Sequence, residues 1–261
     1  MVETEFLETA TQAAREAGAI LQEWRTKFTV SQKTGPADLV TEADLAAQTA
    51  IHRRIQGRFP EHAFLGEESL ITERGSSPYR WVIDPLDGTG NYVHGNPYYA
   101  VSIGLERDDE LVLGVIYDPT RDEMFTAIRG GGAMLNGSPI QASRVDRLGA
   151  ALVVASFPHG VRVESPVISD FLRVLSEAQS VQRTGSAALN LAYVAMGRFD
   201  AFWSQSLKPW DMAAGVLLVQ EAGGRVTSRG GAPIDIHVPD MVSSNGTDVH
   251  EELLALLASN A

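Results

Sequence analysis

The chain has 261 residues, 44% of them hydrophobic, enough to bury a substantial core in one large α/β domain or two closely joined halves. Its formal net charge of −12 repels nucleic acid and anionic lipid, so neither is expected as a partner. The lack of cysteine excludes a disulfide framework, a thiolate zinc site and a cysteine nucleophile. With an acidic start and no apolar run of bilayer length, the chain reads as cytoplasmic, without signal peptide or membrane anchor.

Residues 4–26 place Phe6, Leu7, Ala10, Ala13, Ala14, Ala17, Ile20, Leu21 and Trp24 at helical spacing and predict an amphipathic helix with one buried face. Residues 31–38, with Lys33, Gly35 and Pro36, read as a loop. Thr41-Glu42-Ala43-Asp44 then opens a second helix at capping-box spacing, so Asp44 reads either as a cap or as a functional carboxylate. From Arg80 the period changes. Trp81-Val82-Ile83 runs as a strand into two aspartates, and residues 99–106 and 111–117 flank an acidic turn. Residues 123–128, the turn Gly130-Gly131-Gly132 and the hairpin signal Asn136-Gly137 extend this into a meandering antiparallel sheet. The second half alternates: strands at 151–155, 200–203 and 225–227, helices at 167–178, 186–196 and 211–221. With no repeat or linker, the expectation is a single domain of two lobes, about 1–145 and 146–261.

The segment Asp84-Pro85-Leu86-Asp87-Gly88-Thr89 sets two carboxylates three apart at a strand end, with a proline stiffening the bend between them. A hard cation such as magnesium takes oxygen ligands, and Asp84, the Leu86 carbonyl and Asp87 make a plausible partial shell. Gly88 permits close backbone approach, and Thr89 offers a hydroxyl and an N–H suited to phosphate oxygens. An Asp-rich surface turn accounts for the same residues equally well. Gly66-Glu67-Glu68-Ser69 can deliver one ligand and one supporting carboxylate, or be a solvated loop. Asp211, after Trp210, is a ligand candidate or an N-cap. The histidines show no zinc spacing and are expected in surface or core roles, His94 behind Thr89 being the one of interest.

The order of these pieces is what separates the readings. Asp38-Leu39-Val40-Thr41-Glu42-Ala43-Asp44, Gly66-Glu67-Glu68-Ser69, Trp81-Val82-Ile83-Asp84-Pro85-Leu86-Asp87-Gly88-Thr89-Gly90-Asn91, Gly185-Ser186-Ala187-Ala188 and Trp210-Asp211-Met212-Ala213-Ala214-Gly215 span most of the chain. In this order they resemble the inositol monophosphatase family of lithium-sensitive, magnesium-dependent phosphatases. The resemblance implies a layered αβαβα sandwich of α/β (α+β) class, with an antiparallel sheet in the N-terminal half and an α/β C-terminal half. It implies that Glu67, Asp84, the Leu86 carbonyl, Asp87 and Asp211 hold two or three Mg2+ ions, and that Thr89, oriented by Asp44 and assisted by Glu68, activates water. It further implies substrate contacts from Gly88, Thr89, Gly185, Ser186, Ala187 and Asp211, a mobile segment around Lys33, a small phosphorylated metabolite as substrate, and a homodimer.

Ser204 departs from the pattern: inositol-type members usually carry Glu there to bind a sugar hydroxyl, and a serine keeps at most one short hydrogen bond to substrate. Lys208, close by, suits a second anionic group on a substrate or a solvated surface position. Fructose bisphosphate, histidinol phosphate and phosphoadenosine phosphate therefore stand beside inositol monophosphate as candidate substrates. Asp87-Gly88-Thr89 also resembles the end of the aspartyl-phosphate signature of haloacid dehalogenases, but the nucleophile's position holds Pro85, which cannot attack phosphorus. A non-catalytic binding module is the alternative from another class, and the full set of acidic residues argues against it.

Overall fold

A computed structural model describes residues 2–35, 38–72, 75–158 and 160–258. The alanine stripe of the first helix, α1 (Val2–Trp24), is buried at Ala10, Ala13, Ala14, Ala17 and Leu21. It packs against α2 (Glu42–Arg58), which buries Ala43, Ala47, Ile51 and Ile55. Small side chains on both helices let their backbones lie close while they jointly cover a sheet.

Between them, residues expected to form a loop instead form an antiparallel ladder, β1 (Val30–Gly35) with β2 (Asp38–Thr41). The loop expectation is therefore corrected: Val30, Ser31, Gln32 and Gly35 pair with Thr41, Val40, Leu39 and Asp38 in a ladder. Pro36 lies outside the described residues, and so does the side chain of Lys33.

The next strands are β3 (Ala63–Gly66) and β4 (Tyr79–Asp87), followed after a short helix, α3 (Thr89–Val93), by β5 (Ala100–Arg107) and β6 (Glu110–Asp118). With β7 (Glu123–Ile128), β8 (Gly132–Leu135) and β9 (Ser138–Pro139) they build a seven-stranded sheet in simple sequence order. Every neighbouring pair is antiparallel except β3 and β4. The turns are those the sequence signals: Asp108 and Asp109, then Asn136 and Gly137, all take positive φ, as tight hairpins require.

The second half supplies β10 (Leu152–Ala155), α4 (Pro166–Glu177), β11 (Ser180–Gln182), α5 (Ala187–Ala195), β12 (Ala201–Ser204), α6 (Pro209–Glu221), β13 (Arg225–Thr227), β14 (Met241–Ser244) and α7 (Val249–Ala258). The sequence reading contains the first seven of these except β11, and neither β14 nor α7. The five strands order as β11-β10-β12-β14-β13, parallel around β10 and antiparallel around β14.

Helices α5 and α6 are buried on nearly every side because they fill the space between the two sheets. The approach is tightest where α6 crosses β5 and β6. A Cβ at Gly104 would meet the Ala213 methyl at 2.7 Å, and one at Gly114 the Ala214 carbonyl oxygen at 2.5 Å. Helices α4 and α7 cover the far face of the five-stranded sheet through Val174, Leu253 and Leu257. The layers run α1/α2, sheet, α5/α6, sheet, α4/α7, the expected αβαβα order. Among the described helices, none is long and apolar enough to cross a membrane.

Candidate active site

Strand alternation places residues three apart on opposite faces of a sheet, so Asp84 and Asp87 need a device to converge. The device is a bulge. On β5 the partners move from Ser102 to Ala100 while β4 moves from Asp84 to Asp87, so β4 holds one extra residue at Pro85-Leu86. Proline fits there because the missing N–H leaves no ladder bond unmade. The turn is tied internally by the Leu86 N–H, which donates to Asp84 Oδ1 at 2.9 Å.

Asp211 arrives from the middle layer, in the first turn of α6, where the Lys208 N–H donates to its Oδ2 at 2.7 Å. It is thus both an N-terminal cap and a site residue. Carboxylate oxygens of Asp84, Asp87 and Asp211 all lie within 4.8 Å of one another. Asp84 and Asp87 are buried and Asp211 is partly so. Burial first, then the charges of Glu67, Asp87 and Asp211, pushes the Asp84 carboxyl well above the usual carboxylate range. Burial and the Asp87 charge do the same to Asp211. Burial pushes Asp87 up to about 6 against the opposing hydrogen bonds it accepts.

Those bonds come from α5. The Ser186 hydroxyl and the Ala188 N–H, the latter at 2.7 Å, both donate to Asp87 Oδ2. Ser186 is itself the N-cap of α5, taking the Leu189 N–H at 3.3 Å. One oxygen of Asp87 is thereby fixed at a helix N-terminus, where negative charge is favoured.

Glu67 leaves the end of β3, where its N–H donates to the Ile83 carbonyl at 3.2 Å. Its charge is felt by Asp84, Asp87 and Asp211, although it stands outside the tight trio. Glu68 follows in a turn closed by the Ser69 N–H on the Glu67 carbonyl at 2.8 Å, with Ser69 at positive φ.

Asp44 serves two partners. Its Oδ2 accepts from the Thr41 N–H at 2.9 Å and from the Thr41 hydroxyl, completing the cap of α2. Its Oδ1 faces the Thr89 hydroxyl at 3.3 Å, and that hydroxyl also lies 3.1 Å from the Leu86 carbonyl oxygen. Capping and site roles are thus compatible in one wholly buried carboxylate.

Gly88 caps α3 with a φ of 96°, and a Cβ there would crowd the Tyr98 and Gly185 carbonyl oxygens at 3.0 and 3.3 Å. Gly185, with a φ of 94°, would meet Asn91 Nδ2 at 2.9 Å. Two glycine loops from different halves of the chain therefore pack backbone to backbone. Asn91 locks them, donating from Nδ2 to the Tyr98 carbonyl at 2.7 Å and the Thr184 carbonyl at 2.9 Å. Ala187 lies at the same junction, in the first turn of α5.

Ser204 is buried at the end of β12, with its Oγ taking the Ser206 N–H at 3.3 Å. Lys208 is exposed at the head of α6, and His94 is exposed behind α3. His62 accepts from Trp81 Nε1 at 3.1 Å, and His250 is buried between Ser244 and Thr227, so both are core residues. His159 lies outside the described residues. A second grouping, Glu106, Asp109 and His237, already holds its cation: Arg80 Nε donates to Glu106 at 2.7 Å.

The sequence reading missed three contributors: Gln48, whose amide binds the backbone of Glu68; Ser186 as the partner of Asp87; and Asn91 as the lock between loops. Gln48 carried a signal, since it stands one helical turn after Asp44 on the same face. Asn91 and Ser186 stand in the quoted motifs, but their contacts with Thr184 and Asp87 span 93 and 99 positions, which no local pattern reports.

Three carboxylates within 4.8 Å of one another, two of them buried and one half-buried, fit a hard divalent cation. The whole chain agrees. Residues 2–261 match the model of the inositol monophosphatase family. Over 256 residues the sequence is 41% identical to an inositol-1-monophosphatase of Synechocystis, covering 97% of this chain and 89% of that one. The extragenic suppressor protein suhB of Bartonella henselae superposes with a TM-score of 0.93 at 38% identity, covering 98% of this chain and all (100%) of that one. An IMPase/NADP phosphatase solved with Mg2+ and phosphate superposes at 0.89 with 25% identity, covering 100% and 98% of the two chains. The sequence motifs, the five-layer fold and these likenesses together make this chain a member of the inositol monophosphatase family.

Proposed function

We propose that the protein hydrolyses a small phosphate monoester, an inositol monophosphate, by magnesium-dependent attack of water. The observation that carries this reading is the trio Asp84, Asp87 and Asp211, buried or half-buried carboxylates with oxygens within 4.8 Å of one another. Asp84, the Leu86 carbonyl, Asp87 and Glu67 would hold catalytic magnesium, with Asp211 completing a site for two or three ions. Bound magnesium supplies Lewis acidity toward phosphoryl oxygens and makes water a better nucleophile at neutral pH.

The chain's own groups handle the proton. The Thr89 hydroxyl passes its hydrogen toward Asp44 Oδ1, 3.3 Å away, as it takes one from water. Asp44 is kept in place for this by Thr41, which engages its other oxygen. Glu68 is the second carboxylate beside that water. The apposed loops at Gly88-Thr89 and Gly185-Ser186-Ala187 present backbone to the phosphate and ring of the substrate. Asp211 and Ser204 then contact substrate hydroxyls.

The neutral, buried Ser204 favours a second reading among sugar and nucleotide phosphates, where fructose bisphosphate, histidinol phosphate or phosphoadenosine phosphate is the substrate. A phosphate-release panel over these four compounds, with and without Mg2+ and then with Li+, tests both. The reading expects Mg2+-dependent release, fastest on inositol phosphate and inhibited by lithium. No release from any compound would leave a binding module.

The same reading includes a cytoplasmic homodimer acting on a small metabolite. The exposed apolar side chains Val163, Leu172 and Leu175, on and just before α4, support self-association. Light scattering at twice the chain mass is the expected result.

A further inference from the structure

Helix α2 buries two polar side chains one turn apart, Asp44 and Gln48, on an otherwise apolar face. Asp44 reaches toward Thr89. Gln48 reaches the other side of the site, where its Nε2 donates to the Glu68 carbonyl at 3.0 Å and its Oε1 accepts the Glu68 N–H at 3.2 Å. Both polar ends of one amide are thus spent on both polar groups of one residue's backbone. Such a paired contact fixes orientation as well as distance, and Asn is too short by one methylene to repeat it.

The contact is built closely. A Cβ at Gly66 would come within 3.0 Å of Gln48 Oε1 and 3.1 Å of the Leu70 Cβ. The Gly66 N–H donates to the Leu70 carbonyl at 2.7 Å and closes the turn that carries Glu67 and Glu68. The turn is closed by the Leu65–Ile71 bridge and joined to β4 by the Glu67 N–H on the Ile83 carbonyl, and Gln48 supplies a contact with α2.

We infer that Gln48 is a positioning residue that sets the Glu67 arm of the metal site, and that α2 fixes the spacing between that arm and Thr89. This rests on the proposed role of Glu67 as a magnesium ligand. The physical cause is stiffness. Glu67 sits on a turn, and a ligand whose backbone can shift gives up conformational freedom each time a cation binds. Clamping the next residue's peptide to a helix removes that cost beforehand, as outer-shell hydrogen bonds do at other metal sites.

The test is Gln48→Met, which keeps the side-chain volume and loses both bonds. Its affinity for Mg2+ is measured by calorimetry, and for Mn2+ by the spin-resonance signal of the free ion, with metal-free melting followed in parallel. Thr49→Ala, on the exposed neighbour whose hydroxyl bonds the Leu45 carbonyl at 2.7 Å, is the control for helix effects. The expected result is metal affinity weakened by about tenfold in Gln48→Met and unchanged in Thr49→Ala. A role confined to folding would lower the melting temperature and leave the dissociation constant alone, and that result overturns the inference.

Should Gln48→Met not fold, amide exchange in the unaltered protein decides. The Glu68 N–H is expected to exchange as slowly as the amides of α2, and exchange at the rate of open loops overturns the inference. Failure of the unaltered protein to bind either ion would count against the magnesium site itself, an outcome distinct from both.

Discussion

Asp170 and the cluster around Asp84 are both buried, and they handle the charge in opposite ways. In the outer layer Asp170 of α4 is met by Arg173 and by Arg229, whose Nη1 and Nη2 lie 2.5 and 3.1 Å from its oxygens. In the inner layer the charges acting most strongly on Asp84 are those of Glu67, Asp87 and Asp211, all acidic. At Asp170 the counter-charge comes from the chain itself. At Asp84 the proposed magnesium would take that part.

The largest expected effect bears on the inner cluster. Asp87→Asn should lower Mg2+-dependent phosphate release by about a thousandfold or more while the metal-free protein melts no lower than before, because a repelling charge has gone. Substantial retained turnover would sink the metal assignment. Next comes Asp170→Ala, which strands two arginines and should destabilise the fold by about 3–5 kcal/mol in urea titration. It should leave the Mg2+ concentration for half-maximal rate unchanged, and a shift there would erase the contrast between the two sites.

Asp44 stands between the categories. Asp44→Asn should cut turnover about a hundredfold by removing the proton acceptor. Thr41→Ala, which removes the cap hydroxyl, should cost ~1 kcal/mol of stability and lower turnover less than tenfold. Equal effects of the two on turnover would reduce Asp44 to a cap.

The pH dependence is the subtlest test, because its sign separates two buried groups. Asp87 has its folded pKa raised from 3.8 to about 6, so the folded chain holds that proton more tightly than the unfolded one. Stability present below the unfolded value is lost as pH rises through about 6. His250 runs the other way: burial pushes it down to about 4, below its usual 6.5. Stability present above 6.5 is lost as pH falls toward 4, by ~2 kcal/mol. Metal-free protein, with Asp84 and Asp211 raised as well, should therefore melt lower as pH rises from 4.5 to 6.5. Saturating Mg2+ should reverse the slope, leaving the histidine's contribution visible.

Local pattern made much of this architecture readable. The stripe of α1, the meander from β4 to β9 and the alternation of the second half depend on neighbours in sequence, and so do the hairpins at Asp108-Asp109 and Asn136-Gly137. The hairpin of β1 and β2 was hidden because its ladder is made by backbone pairing, which side-chain composition does not report. Strand β14 and helix α7 went unread, the strand being four residues long and stabilised by β12 and β13 on either side.

At the site, the acidic residues stood out by motif, but the reason two of them converge did not. A bulge is a relation between β4 and β5, visible only once the register is known. The same holds for Ser186 on Asp87, contacts 99 positions apart in the chain.

The bare surface of β5 and β6 at Gly104 and Gly114 has a further meaning for Asp211. That residue opens α6, and α6 rests with its backbone directly on those two glycines. The height of the helix above the sheet, and so the reach of its first-turn carboxylate toward Asp84, is gauged by the absence of a methyl group. A single carbon added at Gly114 would act as a shim under the helix, and the mouth of the site would register its thickness.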